Sequence, residues 1–225
     1  MKDAIAIDGP AGAGKSTIAK MVAAELEMIY VDTGAMYRAI ALWTAKEKIS
    51  ADDVSSIENK LDNVNVTIDY KDGQQRVLLN GKDVTDSLRT EETGRRASVV
   101  SRHKCVREKL VSLQQDLAES KRVIMDGRDI GTKVLPDAVL KIFLTASAEV
   151  RAERRFKELQ EKGIECDYDI ILEDIKARDH ADETRKESPL KPAEDSVDID
   201  SSDMTQEEVA EEIIRLYNEV ITCRK

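Results

Sequence analysis

Ala4-Ile5-Ala6-Ile7 is an unbroken apolar run too short for a helix, and it reads as a buried strand over 4–8. Ile18, Met21, Val22 and Leu26 then recur at helical spacing, predicting a helix from Lys15 to about Glu27. Met28-Ile29-Tyr30-Val31 is a short second strand ending at Asp32-Thr33-Gly34. A helix follows to about Lys46 with Met36, Ile40 and Trp43 on one side. Residues 50–63 form a polar, mixed helix started by Ser50 or Asp52.

Residues 64–90 change character. Val64, Val66 and Ile68 alternate with polar residues, Lys71-Asp72-Gly73 signals a turn, and Val77-Leu78-Leu79 runs into Asn80-Gly81, a strong hairpin signal. This is a small antiparallel unit inserted into a βα chain. Two helices are predicted over 90–119, then a buried strand at Arg122–Asp126 and a loop from Gly127 to Thr132. A further strand is expected at Ala138–Leu144 and a helix at 147–162, ended by Gly163. Asp167 caps a helix to about Thr184, Ser196–Asp200 is a last strand, and Thr205–Thr222 a last amphipathic helix. Buried strands separated by helices imply an α/β fold: a parallel sheet of about five strands with helices on both faces. In such sheets ligands bind at the carboxyl ends of the strands, where Asp32, Asp126 and the loop after Asp126 fall.

With 225 residues the chain suits one α/β domain with an insertion, or at most two small domains. No stretch approaches a membrane span, and the first residues read as strand and loop rather than signal peptide, so a cytoplasmic protein is expected. Cys105, Cys166 and Cys223 share no metal-ligand spacing, and His103 and His180 stand apart, so neither a zinc site nor a disulfide framework is expected. The net charge of −10 argues against nucleic acid as a partner. It leaves room for a small anion held by clustered arginines.

The strand at 4–8 runs into Gly9-Pro10-Ala11-Gly12-Ala13-Gly14-Lys15-Ser16, which fills every fixed position of G-x-x-x-x-G-K-[ST]. Strand, glycine loop and helix start are what polyphosphate binding needs. Backbone N–H groups wrap the anion and the helix N-terminus adds its dipole. Lys15 would reach the β- and γ-phosphates, and the Ser16 hydroxyl would sit on Mg²⁺. A kinase must also gather arginines, because two phosphate-bearing molecules meet and the transition state spreads negative charge. Arg151, Arg154 and Arg155 share one helix face, as do Arg178, Asp182 and Arg185. Glu149, Glu153 and Glu158 offer the first trio ordinary surface ion pairs, so both uses stay open for it. Arg128, between Gly127 and Gly131 at a strand end, favours a ligand role.

These segments, IDGPAGAGKST (7–17), VDTGAMYRA (31–39), MDGRDIGT (125–132), PDAVLKIFL (136–144) and RDHADETR (178–185), together resemble the bacterial cytidylate kinase family, which are nucleoside monophosphate kinases. The resemblance spans nearly the whole chain. It implies transfer of the γ-phosphoryl group of ATP, with Mg²⁺, to CMP or dCMP, in pyrimidine nucleotide metabolism. ATP would lie on Gly9, Pro10, Ala11, Gly12, Ala13, Gly14, Lys15, Ser16 and Thr17, with Arg151, Arg154 and Arg155 closing over its phosphates from a lid at about 151–167. Thr33, Tyr37 and Arg38 would hold the monophosphate, and Ser98 and Arg107 match positions that read the base. Arg128 would contact the acceptor phosphate and Asp129 the cytosine amino group. Arg178 and Asp182 would face the ribose, and Arg185 the phosphate. Catalysis would fall chiefly to Lys15, Arg128, Arg154 and Arg185. Thr33 stands where the family often has serine, with the hydroxyl kept. The expected organisation is a single kinase domain, with core 1–63, 90–150 and 185–225 and an acceptor-side insertion at 64–90, acting as a monomer.

Two other readings compete. A kinase for AMP, UMP or a phosphate-free acid shares the phosphate loop but not the pairing of DTGAMYR with DGRDIGT. A nucleotide switch would need a guanine-reading N-K-x-D sequence after a late strand, and no late strand of this chain is followed by one.

Overall fold

The computed structural model describes residues 3–71 and 73–223. Asp72, in the middle of the predicted turn, lies outside the described residues. The chain divides into two compact units: residues up to Tyr30 together with Ala118 onward, and Val31–Leu117.

The first unit is built on the buried strands β1 (Ala4–Asp8), β6 (Val123–Gly127) and β7 (Leu140–Thr145) and on β8 (Val197–Asp200), of which only Ile199 is buried. With β2 (Ile29–Asp32) on the outside they form a sheet in the order β2-β6-β1-β7-β8. β1 pairs in parallel with β6 and β7, and β7 with β8. The register sets Ile7 beside Asp126 and Asp8 beside Gly127, so distant parts of the sequence end at one edge. Ile5, Ile7, Ile124, Ile142 and Leu144 form its core with Ile18 and Val22 of α1 (Lys15–Glu25) and Val209 and Ile213 of α8 (Gln206–Cys223). Helices α6 (Ala148–Glu161) and α7 (Tyr168–Thr184) pack together. Ser147 caps α6 through the Val150 N–H, and Asp167 caps α7 through those of Asp169 and Ile170.

The second unit has its own core, in which Met36, Ile40 and Trp43 of α2 (Thr33–Lys46) pack with Ile57, Val77, Leu79, Val100 and Leu110. Its helices are α2, α3 (Val54–Leu61), α4 (Glu91–Val100) and α5 (Lys104–Ser120). The insertion is a three-stranded antiparallel sheet of β3 (Val66–Lys71), β4 (Gln74–Leu79) and β5 (Lys82–Asp83), with Asn80 and Gly81 both at positive φ in the tight turn.

Three local expectations are corrected. Helix α3 is capped by Asp53, whose carboxylate accepts the Ser56 N–H at 3.0 Å, rather than by Ser50 or Asp52. Helix α1 stops at Glu25, because Glu27 takes a left-handed turn at φ 51 with no glycine to announce it. Ile130–Val134 is a wide helical turn rather than open loop, because Asp8, far away in sequence, accepts the N–H groups at its start.

Candidate active site

The phosphate loop leaves β1 at Gly9, which has φ 148; a Cβ there would fall 1.9 Å from the Leu144 carbonyl oxygen, so the strand can enter the loop only through glycine. Gly14 opens α1 in the left-handed region at φ 86, and the helix N-terminus faces the loop. Lys15 is buried, and its ammonium donates to the Pro10 carbonyl at 2.6 Å. Burial above all, reinforced by the Arg128 and Arg178 charges, holds Lys15 well below the usual lysine pKa, while Asp126 and Asp8 pull it back up. A polyphosphate brought to this lysine would favour its charged form. The Ser16 hydroxyl donates to Asp126 Oδ2 at 2.8 Å, and the Tyr30 hydroxyl to Asp126 Oδ1 at 2.9 Å.

Asp8 ties the phosphate loop to the next strand's loop. Its carboxylate oxygens accept the N–H groups of Ile130 and Gly131 at 2.8 and 2.7 Å. Burial lifts its pKa to about 6 in spite of those two donors; the Asp129 charge adds to the rise and Lys15 opposes it.

Beyond this turn lies a cluster of charges. Arg128 Nε donates to Asp182 Oδ2 at 2.8 Å, and Arg185 lies 4.0 Å from the other Asp182 oxygen and 3.9 Å from Asp129. The Arg185 Nε also donates to the Ser188 carbonyl at 2.6 Å. Asp182 thus links Arg128 and Arg185. Arg178 is exposed on α7, and its charge is felt by Lys15.

The α6 arginines divide. The Arg151 guanidinium is buried and spans α6, α7 and the phosphate loop: it donates to both Asp179 oxygens at 3.0 and 2.6 Å, to the Ala11 carbonyl at 3.0 Å and to the Ala146 carbonyl at 2.9 Å. Arg154 donates to the Ser201 carbonyl at 2.7 Å. Arg155 pairs with Glu158 at 2.9 Å, the surface alternative left open by the sequence.

In the second unit, Asp32 caps α2 by accepting the Ala35 N–H at 2.9 Å, and Thr33, Tyr37 and Arg38 follow on that helix. The Arg107 guanidinium lies 5.7 Å from the centre of the Tyr37 ring, so these two expected acceptor residues meet. Ser98 is half-buried on α4.

A family model described as cytidylate kinase matches residues 5–219. The chain belongs to the cytidylate kinase family. It is 56% identical over 217 residues to the cytidylate kinase of Caldicellulosiruptor saccharolyticus, covering 96% of each chain. It is 47% identical over 214 residues to that of Bacillus subtilis, covering 95% of each. A gluconokinase structure from Sinorhizobium meliloti superposes with a TM-score of 0.50 at 15% identity, covering 99% of this chain and 98% of the other, which speaks for the fold alone.

In this cytidylate kinase family member, sequence reasoning places Asp126 at the ligand-binding end of its strand and gives it no partner. The available signal was an acidic residue ending a buried strand, but its partnership with Ser16 needs the parallel pairing of β6 with β1. Asp8 was missed, because its partners are backbone amides more than a hundred residues on. Among the described residues no helix is long and apolar enough to cross a membrane.

Proposed function

We propose that the protein transfers the γ-phosphoryl group of ATP to CMP or dCMP, giving ADP and CDP or dCDP. Membership of the family supports this reading. The observation that carries it is the convergence of Arg128, Asp129, Asp182 and Arg185 within ion-pair reach, in the same unit as the phosphate loop.

Lys15 and the N–H groups of Gly9–Thr17 would bind the ATP phosphates. Arg154 and Arg155, on a lid at about 151–167 of a single kinase domain, are assigned to the donor, with Arg151 holding the loop that receives it. Ser16 and Asp126 offer hard oxygen ligands that fit Mg²⁺, whose preference is for one or two protein oxygens completed by phosphates and water. Bound there, the ion would neutralise charge on the β- and γ-phosphates.

Arg128 and Arg185 would hold the acceptor phosphate through their planar forks, and Arg38 would assist. Asp129 would accept from the cytosine N4 amino group, whereas uracil presents a carbonyl there and would leave two acceptors facing. Thr33, Tyr37, Ser98, Arg107, Arg178 and Asp182 would fix base and sugar. Positioning and charge stabilisation then carry the transfer without a strong general base. The enzyme would act as a cytoplasmic monomer in pyrimidine nucleotide metabolism.

The test is ADP production with ATP and Mg²⁺ fixed and CMP, dCMP, UMP, AMP, GMP and shikimate offered in turn. Fast turnover with CMP and dCMP is expected. Absence of turnover with both would overturn the assignment.

A further inference from the structure

The inserted three-stranded sheet has no part in the chemistry above, yet one of its side chains grips the segment that carries the acceptor residues. Gln75, half-buried on β4, presents its carboxamide edge to the peptide unit of Asp32. Gln75 Oε1 accepts the Asp32 N–H at 2.7 Å, and Gln75 Nε2 donates to the Asp32 carbonyl at 3.2 Å. The side chain behaves as a one-residue strand neighbour at the end of β2, an outer strand of its sheet. Only a carboxamide offers one donor and one acceptor in a plane that matches a peptide edge.

Asp32 is held from both sides. Its main chain is fixed by Gln75, and its carboxylate caps α2 by accepting the Ala35 N–H. The next turn is crowded: a Cβ on Gly34 would lie 3.2 Å from Asp32 Oδ1 and 3.4 Å from Arg38 Nη1. Arg38 therefore packs over the same small patch of backbone that Gln75 fixes. Any rotation of the Asp32 peptide moves the cap, the first turn of α2, and with them Thr33, Tyr37 and Arg38.

We propose that Gln75 is a positioning residue for the acceptor, and that the inserted sheet tunes acceptor affinity through it. The proposal rests on the CMP kinase reading. Gln75 touches no reacting atom in it; it acts through Asp32 on the start of α2. A glutamate at 75 keeps the shape but offers no donor, and sets a negative charge against the Asp32 carbonyl. A leucine keeps the bulk and removes both partners.

The experiment measures kcat and the KM for CMP and for ATP in the wild type, Gln75→Glu and Gln75→Leu. Val77→Ala and Gln74→Ala serve as controls. Val77 is buried in the core of the same unit and its apolar side chain makes no hydrogen bond, so its truncation loosens the sheet without removing a partner of Asp32. Gln74 is its exposed neighbour. Loss of the clamp is expected to raise the KM for CMP about tenfold in both Gln75 variants, with the KM for ATP within about twofold. The Asp32 amide, followed by hydrogen exchange, should exchange faster in Gln75→Leu and not in Gln74→Ala. Val77→Ala should lower Tm and leave the CMP KM near that of the wild type.

A CMP KM unchanged in both Gln75 variants overturns the proposal. So does a rise in the CMP KM that appears equally in Val77→Ala and tracks Tm, since that is general loosening. A wild type that does not turn over CMP overturns the parent reading, and is told apart because it fails before any variant is compared.

Discussion

Asp8 should make the protein less stable as pH rises through the weakly acidic range. It is 4% exposed, and burial lifts its pKa from an ordinary 3.8 to about 6. Below pH 3.8 the carboxyl is neutral in both folded and unfolded chains, so its contribution to stability is fully present there. Between 3.8 and about 6 the unfolded chain gives up the proton while the folded chain keeps it, so unfolding becomes easier with each step in pH. Above about 6 both are ionised and the dependence levels off. The span corresponds to roughly 3 kcal/mol in all, at about 1.4 kcal/mol per pH unit where the slope is steepest. Asp8→Asn removes the titration. Its carboxamide can accept only one of the Ile130 and Gly131 N–H groups, at a pH-independent cost of about 1–3 kcal/mol. Urea unfolding of both proteins, followed by circular dichroism at pH 4, 5, 6 and 7, reads Asp8 together with the Asp129 and Lys15 charges it interacts with, because groups remote from it titrate alike in the pair. The stability of the wild type minus that of the variant should fall by roughly 2.4 kcal/mol from pH 4 to 7, the rest of the span lying below pH 4. Parallel curves, or a difference that grows with pH, would refute the reasoning.

Arg128→Ala should lower kcat by roughly 10²–10³, and Arg128→Lys should recover little of it, since a lysine cannot reproduce the fork that also donates to Asp182; a near-normal rate in the alanine variant removes its phosphate role. Asp129→Ala should narrow the CMP-over-UMP ratio of kcat/KM by at least about tenfold, and an unchanged ratio takes it out of base selection. Asp179→Ala strands the buried Arg151 guanidinium and should cost about 3–5 kcal/mol in urea unfolding, whereas Glu158→Ala, which removes the exposed partner of Arg155, should cost under about 1 kcal/mol. Equal losses in the two variants would mean that the Arg151 clamp is not structural.

Much of the molecule is written in short-range pattern. The apolar runs at 4–7, 123–125 and 140–144 became buried strands because little but a sheet interior accepts them. Gly163 at φ 68, the Asn80-Gly81 turn and the Asp167 cap are where local chemistry asked for them, since each depends on a few adjacent residues. The phosphate loop was legible for the same reason: its glycines, lysine and serine lie within eight consecutive positions.

The sequence by itself determined the strands, most of the helices, the phosphate loop and the supply of arginines. Only the tertiary structure decided how they are used. Helical periodicity puts Arg151, Arg154 and Arg155 on one face. It does not say that Asp179, on another helix, binds the first while the third pairs on its own helix. No spacing joins Ser16 to Asp126, Asp8 to Ile130, or Gln75 to Asp32, because each pair is made by strand register or chain reversal. A pattern within one element reports which face is buried. Which charge meets which is set by the packing of elements far apart in the chain, where a hydrogen bond has only a few ångströms in which to form.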